Sequence, residues 1–321
     1  MKLNKFYNYK IAVVIPYYNA EKHIAKVVSK LPDYVSAVII VDDKGREPLP
    51  VAEVNSVKKA QTALVVIENE VNLGVGGATK KGFQYAIANN FDIVVKIDSD
   101  DQMDTSYLPD LLLPIIKKKA EMAKGNRFRD INSLKKMPFV RRIGNLFLSF
   151  LTKLATGYWN NFDPTNGFFA VKTSVLKSVD FTKLSDRYFF ETSLIAQLYF
   201  TKTRIKDVSM PAIYADEKSS MQVWKMPVIF SRNLFKVFVK RIVKEYFLYD
   251  FNIGSLYLLF GLPLFLFGLI FGGYTWYHYF TLQKFAPTGT IMLITLSIIL
   301  GFQLLLQAIQ YDVINSPKAK N

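Results

Sequence analysis

The chain contains no cysteine and only two histidines, His23 and His278. The absence of cysteine excludes a disulfide scaffold, a thiolate zinc site, an iron–sulfur cluster and a cysteine nucleophile. Two histidines nearly exclude a catalytic histidine dyad and a multi-histidine metal site. Acid–base or metal chemistry in this protein must therefore rest on carboxylates.

Acidic residues are scarce relative to basic ones, since 26 Asp and Glu face 41 Lys and Arg and give a formal net charge of +15. Half of the residues are apolar, which excludes intrinsic disorder and collagen-like or other fibrous classes. The length of 321 residues allows one large domain or two modest ones, enough for a full α/β core. Because the basic clusters lie beside apolar, membrane-type sequence, a membrane surface is favoured over nucleic acid as their partner.

Two long stretches near the C-terminus lack Asp, Glu, Lys and Arg. Phe251–Gln283 has 33 residues and Phe285–Tyr311 has 27, and Lys284 separates them. About 20 residues cross a 30 Å hydrocarbon core as a helix, and neither stretch has the polar stripe of a helix packed on one side of a soluble core. We therefore predict two transmembrane helices, near 253–277 and 287–310, joined as a hairpin.

The charges around the predicted spans indicate which side of the membrane holds the rest of the chain. The loop between the spans carries only Lys284. The outer flanks carry a basic excess, at Lys236, Lys240, Arg241, Lys244, Lys318 and Lys320. The positive-inside rule then puts both flanks, and the large N-terminal part, in the cytoplasm. The short N-terminus and the two-helix tail suit a bacterial inner membrane.

A basic segment precedes the first span. Lys218–Lys244 holds seven Lys and Arg and no acid. Apolar and basic residues alternate there at helical spacing, with Leu234, Phe238 and Ile242 opposite Arg232, Lys236, Lys240 and Lys244. This pattern is typical of a helix lying on an anionic membrane surface. The predicted organisation is an α/β domain over 1–215, basic amphipathic juxtamembrane helices over 216–250, and the transmembrane hairpin over 251–321.

The N-terminal part alternates short apolar runs with amphipathic stretches. The runs rich in Val and Ile predict buried strands at Ile11–Pro16, Ala37–Asp42, Ala63–Glu68 and Ile93–Ile97. The stretches between them predict helices at Glu21–Lys30, Val51–Lys59 and Gly76–Asn89. Strand–helix alternation predicts a mostly parallel sheet with right-handed crossovers, whose ligands bind at the carboxyl ends of the strands.

Polar residues follow three of the four predicted strands. Pro16-Tyr17-Tyr18-Asn19 follows the first, Asp42-Asp43 closes the second, and Asp98-Ser99-Asp100-Asp101-Gln102 closes the fourth. A single carboxylate there can equally be a helix cap or a turn residue. Two clusters of Asp at adjoining strand ends repel each other unless a divalent cation or a cationic ligand lies between them. A site built only from oxygen ligands favours Mg²⁺ or Mn²⁺.

Together these motifs resemble a known family. They are Ile15-Pro16-Tyr17-Tyr18-Asn19, Val41-Asp42-Asp43, Asn72-x-Gly74-x-Gly76-x-Ala78, Asp98-x-Asp100-x-Gln102, Gly125-Asn126-Arg127 and Asp163-x-x-x-Gly167-Phe168. Their order is that of family 2 glycosyltransferases, and the resemblance covers about residues 10–215. The branch that the chain most resembles is the dolichyl-phosphate mannose synthase-like group of polyprenyl-phosphate glycosyltransferases, whose bacterial members often end in paired transmembrane helices.

The resemblance implies a GT-A fold, which is a Rossmann-like α/β domain that binds a nucleotide-sugar, and an inverting transfer of the sugar. It assigns the metal, Mg²⁺ or Mn²⁺, to Asp98, Asp100 and Gln102, with Asp100 also a catalytic residue. It assigns the nucleotide-sugar to Pro16, Tyr18, Glu21, Asp43 and Asp98. In the family that the chain resembles, the metal bridges the donor's two phosphates and offsets the charge that develops on the leaving nucleoside diphosphate.

The resemblance also suggests how an acceptor is bound. Arg127 and Arg141 stand where the family has basic residues for the acceptor phosphate, and contact with solvent or lipid headgroups is the alternative for both. Asp163 and Glu191 are the candidate bases, although Glu191 could instead serve as an N-terminal carboxylate of a helix. A lipid phosphate is already ionised at pH 7 and needs no strong base, whereas a sugar hydroxyl requires one.

Two departures from the family pattern leave the nucleotide open. Ala20 stands where a Glu is usual, with Glu21 one place later, and Lys44-Gly45 replaces the usual Gly-Ser. A separate glycine set, Gly74, Gly76 and Gly77, lacks the G-x-G-x-x-G spacing of a dinucleotide loop and is better explained by close packing of a helix on the sheet.

The leading hypothesis is a membrane-anchored enzyme that moves one sugar from a nucleotide-sugar to a polyprenyl phosphate at the cytoplasmic face. The first alternative is a transferase that extends a lipid-diphosphate-linked saccharide in surface polysaccharide assembly. The second, of another class, is a catalytically silent membrane-bound scaffold. A homo-oligomer is also open, since Gly261, Gly268 and Gly272 share one face of the first span and allow close approach of another helix.

Overall fold

The N-terminal part of the chain is built on a mixed sheet. In the computed structural model, which describes residues 3–129, 139–163, 166–211 and 226–320, the sheet has seven strands in the order β3-β2-β1-β4-β6-β5-β7. The strands are β1 (Ile11–Tyr17), β2 (Ala37–Asp42), β3 (Ala63–Glu68), β4 (Ile93–Lys96), β5 (Met122–Asn126), β6 (Phe169–Lys172) and β7 (Ile205–Ser209). All four strands expected from the sequence are therefore confirmed, with ends that differ by at most one residue.

Strand directions bring the polar strand ends to one edge of the sheet. Strands β1 to β4 pair in parallel, as expected, but β6 runs antiparallel to both β4 and β5. The carboxyl ends of β1, β2, β4 and β5 thus lie at the same edge as the first residue of β6. Lys96 pairs with Phe169, so the segment that enters β6 lies beside the Asp98 segment that leaves β4.

Helices cover both faces of this sheet. They are α1 (Glu21–Ser29), α2 (Val51–Val57), α3 (Gly74–Ala88), α4 (Leu108–Ile116), α5 (Phe139–Thr156), α6 (Thr173–Leu176) and α7 (Phe190–Phe200). The three helices expected from the sequence are present as α1, α2 and α3. Successive residues of β1 enter opposite cores, since Val13 packs with the α1 and α4 side and Val14 with the α3 and α7 side. This two-sided burial explains why the strands are continuously apolar.

The chain divides into two compact units. The first comprises Met1–Val237 with Pro317–Asn321, and the second comprises Phe238–Ser316. Helix α8 (Met226–Val243) continues into a π-helical turn (Lys244–Leu248), which is followed by α9 (Ile253–Thr281) and α10 (Thr288–Ile314). Residues 212–225, which include Lys218 and the start of the predicted juxtamembrane segment, lie outside the described residues.

Among the described residues, α9 and α10 are the two helices long and apolar enough to cross a membrane. Only 22% and 11% of their most apolar windows are buried within the protein, whereas a core helix of a soluble protein would be mostly buried. At 1.5 Å per residue both exceed the ~30 Å of a hydrocarbon core. The sequence-based expectation of a helical pair is confirmed, and both helices extend beyond the C-terminal ends assigned from the sequence.

Small residues bring α9 and α10 into close contact. A Cβ on Gly268 would lie 2.7 Å from a side-chain atom of Ile298, and one on Gly301 would lie 2.5 Å from the backbone of Phe265. Gly261 and Gly272 likewise face α10. The glycine face identified in the sequence is therefore used inside the hairpin, between the two helices of one chain.

A buried ion pair connects the segment before α9 to the end of α10. The Arg241 guanidinium donates to both carboxylate oxygens of Asp312, at 2.6 and 3.0 Å, and the Tyr246 hydroxyl donates to Asp312 at 2.8 Å. All three side chains are buried. Arg241 is thus held within this unit, so it differs from the exposed basic residues of the flank such as Lys240.

Candidate active site

The predicted metal-binding residues lie on a tight turn after β4. The backbone N–H of Gln102 donates to Asp100 Oδ1 at 3.1 Å, and both Asp98 and Asp100 are partly exposed. Asp101 has a positive φ of 58° and forms ion pairs with Lys26 and Lys30 of α1, at 2.7 and 2.5 Å. Asp101, which the sequence left without a role, therefore ties the turn to the neighbouring helix.

A buried lysine connects this turn to Glu191. Lys96, the last residue of β4, has only 1% of its side chain exposed, and its Nζ lies 2.6 Å from Asp98 Oδ1 and 2.9 Å from Glu191 Oε1. Burial alone would lower the pKa of Lys96, but the charges of Asp98 and Glu191 outweigh burial and raise it above its ordinary value. Lys96 is therefore a fixed cation between the two carboxylates.

Gly167 leaves space for this arrangement. A Cβ at Gly167 would lie 2.4 Å from Lys96 Nζ and 2.8 Å from Asp98 Oδ2. Any larger residue at the entry to β6 would displace one of these two groups. The glycine thus allows the backbone to approach the Asp98 carboxylate closely.

These residues fit a divalent cation with oxygen ligands. Asp98 and Asp100 supply carboxylates and Gln102 supplies an amide, which are oxygen ligands that Mg²⁺ and Mn²⁺ prefer. Among the described residues, no cluster of three or more Asp, Glu and His side chains forms a complete cation site. A cation bound here would need additional oxygen ligands from a substrate or from water.

Asp163 and Arg127 form an ion pair at the end of β5, at the same edge of the sheet. Arg127 follows β5, and its Nε and one terminal nitrogen donate to Asp163 Oδ2 and Oδ1 at 2.8 and 3.0 Å. Burial alone would raise the pKa of Asp163, but the Arg127 guanidinium and its hydrogen bonds hold that pKa below its ordinary value. A carboxylate in this state is a weak base, so the pair is better suited to fixing the guanidinium.

A second buried lysine lies beneath this pair. Lys124 of β5 is fully buried and its ammonium donates to the backbone carbonyl of Asp163. Burial lowers the pKa of Lys124 to about 8, although the charges of Asp163 and Asp207 oppose the shift. Lys124 thus supports the backbone of the residue that orients Arg127.

The two remaining acceptor-side candidates have different settings. Glu191 lies in the first turn of α7, where it is buried and paired with Lys96. This position agrees with a helix N-terminal carboxylate, the alternative considered from the sequence. Arg141 lies in α5, and its side chain is outside the described part of the structure.

Asp43, a predicted nucleotide contact, is almost fully buried. Its carboxylate accepts hydrogen bonds from the Asn69 side chain and from the backbone N–H groups of Leu73 and Gly74, at 2.7, 2.8 and 2.7 Å. Asp43 therefore fixes the start of α3 at the same edge of the sheet. Its contacts within the protein are those of a structural carboxylate.

The other predicted nucleotide contacts lie at the end of β1. Pro16 is buried in the strand, and the Tyr18 side chain that follows is 50% exposed. Glu21 begins α1, and its buried Oε2 has no hydrogen-bond partner among the residues that the structure describes. Burial, and then the charge of Glu21, raise the pKa of Tyr17 to about 12. Glu21 thus supplies an acceptor at this edge.

The glycine set at the start of α3 packs against protein. The N–H groups of Gly76 and Gly77 both donate to the Asp186 carbonyl, at 2.8 and 3.0 Å. A Cβ on Gly76 would lie 2.3 Å from the Ser185 carbonyl oxygen. Close packing is therefore the reason for these glycines, as expected, but they pack against the Ser185–Asp186 segment and not against the sheet.

Comparison with known proteins identifies the family. The family model described as "Glycosyl transferase family 2" matches residues 12–180. The UDP-N-acetylglucosamine–dolichyl-phosphate N-acetylglucosaminyltransferase of Methanococcus voltae is 31% identical over 218 residues, covering 64% of this chain and 86% of that protein. The undecaprenyl-phosphate mannosyltransferase of Micrococcus luteus is 24% identical over 203 residues, covering 62% and 82%.

The fold agrees with this relationship. Glucosyl-3-phosphoglycerate synthase of Mycobacterium tuberculosis, solved with Mn²⁺, UDP and glucosyl-3-phosphoglycerate, matches with a TM-score of 0.53 and 19% identity, covering 74% of this chain and 81% of that one. The mixed seven-stranded domain is a GT-A fold. Because the family model matches more than half of the chain, the protein belongs to glycosyl transferase family 2 and is a glycosyltransferase.

Proposed function

We propose that the protein is a membrane-anchored, inverting glycosyltransferase that moves one sugar from a nucleotide-diphosphate sugar to a polyprenyl phosphate at the cytoplasmic face. The observation that carries the choice of acceptor is that both candidate bases are engaged by cations. Asp163 is paired with Arg127, and Glu191 is paired with Lys96. A phosphate acceptor is ionised at neutral pH and needs no proton removed, whereas a sugar hydroxyl does.

Named relatives support the same acceptor class. The relatives from Methanococcus voltae and Micrococcus luteus carry names that specify dolichyl phosphate and undecaprenyl phosphate, and both lipids are polyprenyl-type phosphates. A dolichol-phosphate mannosyltransferase of Pyrococcus furiosus, 24% identical over 187 residues, also carries a name that specifies a polyprenyl-type lipid phosphate. These names differ in the sugar, so the donor is chosen by the screen described below.

In this proposal the donor binds at the carboxyl edge of the sheet. Pro16, Tyr18, Glu21 and Asp43 border the nucleotide, and Asp98, Asp100 and Gln102 would hold Mg²⁺ or Mn²⁺. The cation supplies Lewis-acid stabilisation of the leaving nucleoside diphosphate. Asp101 keeps this turn in position through its ion pairs with Lys26 and Lys30.

Arg127 is the proposed contact for the acceptor phosphate, with Arg141 as a second candidate. The Arg127 side chain is 41% exposed, and Asp163 fixes the plane of its guanidinium. A guanidinium held in one plane suits bidentate recognition of a phosphate. Asp163 therefore acts as a positioning residue in the proposed reaction.

Membrane anchoring through α9 and α10 is part of the proposal. Aromatic side chains crowd the end of α9, and Tyr274, Trp276, Tyr277 and Phe280 are all more than 60% exposed. Such belts are typical of the membrane–water interface. Leu146, Phe147 and Phe150 of α5 are exposed apolar side chains in the first unit and suit contact with the lipid surface.

A donor screen tests the reaction. Full-length protein in lipid nanodiscs is incubated with Mn²⁺, polyprenyl phosphate and each of a panel of UDP-, GDP- and dTDP-sugars, and the released nucleoside diphosphate is measured. We expect one donor to be turned over, and Asp100→Ala to reduce its turnover at least about 100-fold while leaving the circular dichroism spectrum unchanged. Full activity in Asp100→Ala would contradict the metal assignment, and nucleotide binding without turnover of any donor would favour a silent scaffold.

A further inference from the structure

The buried ammonium of Lys96 lies beside the carboxylate that is the first proposed metal ligand. Its Nζ is 2.6 Å from Asp98 Oδ1, which is within direct ion-pair distance. The same ammonium is 2.9 Å from Glu191 Oε1. A divalent cation at Asp98 would therefore share this carboxylate with a cation that belongs to the protein.

The surroundings of Lys96 show that its position is built into the fold. Lysine is rarely buried without a partner, because removing an ammonium from water is costly. Lys96 follows three buried apolar residues of β4, and the missing side chain of Gly167 provides the space for its ammonium. Both carboxylates that compensate its charge come from other segments, the turn after β4 and the start of α7.

We propose that Lys96 is a placeholder cation for the metal site. In the donor-free protein Lys96 holds Asp98 and keeps free divalent cations from binding tightly. A nucleoside diphosphate brings its own negative charge and oxygen ligands. When it binds together with the metal, Asp98 leaves Lys96 to become a metal ligand, and Lys96 keeps its ion pair with Glu191. Lys96 is then a positioning residue that makes metal binding depend on the donor nucleotide. This inference rests on the proposed function, because it takes Asp98 as a metal ligand.

Simple electrostatics supports the exchange. Two cations that share one carboxylate repel each other, and this repulsion is strong where water is excluded. Lys96 can release Asp98 without becoming an unpaired buried charge, because Glu191 remains within hydrogen-bond distance. Glu191 thus has a defined role as the second partner of the ammonium.

The test measures Mn²⁺ binding to full-length protein in detergent or nanodiscs by the loss of the free-ion EPR signal. Titrations are run with the metal alone, and with UDP or GDP present. For Lys96→Met we expect Mn²⁺ alone to bind at least about tenfold more tightly than to wild type, because the competing charge is gone. With nucleotide present, the difference between the two proteins should shrink.

Two further variants keep the test decisive. Lys96→Met leaves the Glu191 carboxylate buried without its partner, so Lys96→Met/Glu191→Gln is measured as well, and it should also bind Mn²⁺ alone more tightly than wild type does. Lys124→Met is the matched control, since Lys124 is equally buried at 1% exposure but donates to the Asp163 backbone. Its Mn²⁺ affinity should equal that of wild type.

The outcomes separate the inference from the proposed function. Wild type that binds Mn²⁺ with nucleotide, together with Lys96 variants that gain no affinity for Mn²⁺ alone, would overturn the exchange and leave the metal assignment standing. An equal gain in Lys124→Met would also overturn it, because the effect would then come from net charge. If no protein binds Mn²⁺ under any condition, both the exchange and the metal assignment are wrong.

Discussion

The guanidinium of Arg127 and the carboxylate of Asp163 form a two-point ion pair, with nitrogen–oxygen distances of 2.8 and 3.0 Å. The backbone N–H of Arg127 donates to the same carboxylate at 3.2 Å. Three donors from one residue thus converge on a carboxylate that is completely buried. This relationship gives Asp163 the role of orienting an arginine and makes it a poor proton acceptor.

Asp163→Asn tests that role. The amide keeps the shape of the side chain but loses the charge that holds Arg127, so we expect the unfolding free energy to fall by about 1–3 kcal/mol. The KM for the lipid acceptor should rise on the order of tenfold, since a charge-assisted hydrogen bond is lost, while kcat changes less. Steady-state kinetics with varied acceptor measures this split.

The pH dependence of folding stability provides a second test of Asp163→Asn. The pKa of Asp163 is lowered on folding, so the wild-type carboxylate contributes stability above its unfolded value of 3.8 and loses it as the pH falls below that value. Thermal melts between pH 6 and pH 3 should show a smaller loss in Asp163→Asn than in wild type. A kcat that collapses in Asp163→Asn, with loss of the acidic limb of its pH–rate profile, would instead make Asp163 a general base.

Lys124 gives a prediction at alkaline pH. Its folded pKa of about 8 lies below the unfolded value of 10.5, so between these values the unfolded state binds more protons, and this group makes stability rise with pH. Lys124→Met should remove that contribution. The melting temperature of full-length wild type minus that of the variant, compared from pH 7.5 to 10.5, should therefore increase as the pH rises. A constant difference between them would contradict the depressed pKa.

Gly167→Ala tests whether activity depends on the close approach of the backbone to Asp98. The added Cβ would lie 2.4 Å from Lys96 Nζ and 2.8 Å from Asp98 Oδ2, so one of these groups must move. We expect kcat/KM to fall by about 100-fold, the cost of misplacing a reacting group by about 1 Å. Gly144→Ala is the matched control, because a Cβ there meets no described atom within 4 Å. Equal activities in the two variants would show that this close approach has no role.

Membrane topology can be tested with single cysteines, because the chain has none of its own. Ala286→Cys marks the loop between α9 and α10, and Ser56→Cys marks an exposed position of α2. A membrane-impermeant maleimide should label Ala286→Cys from outside intact cells, and Ser56→Cys only in inverted vesicles. Labelling of both positions from the same side would contradict the hairpin.

Much of the fold could be predicted from local patterns. The buried strands β1 to β4 are runs of Val and Ile bounded by polar residues, and the polar ends of β1, β2 and β4 do meet at one edge. The reversed direction of β6 could not be predicted, because Phe169–Lys172 has the same apolar character in either orientation. That reversal is what brings Gly167 to Lys96.

The site residues show the same boundary between local and tertiary information. Lys96 was missed because a single lysine at the end of an apolar run looks like an ordinary strand end, and its partner Glu191 is 95 residues away. The pairing of Arg127 with Asp163 also spans 36 residues. A lysine or arginine inside or at the end of an apolar, buried strand is a signal that could have prompted a search for such partners.

The most direct test of the proposed reaction compares two acceptors with one donor. Full-length wild type in nanodiscs is given the donor found in the screen and either bare polyprenyl phosphate or the same lipid as a diphosphate-linked saccharide, and the lipid product is identified by mass. We expect one sugar to be added to the bare lipid phosphate. Product formed only on the saccharide would contradict the proposal and would require Glu191 or Asp163 to act as a base.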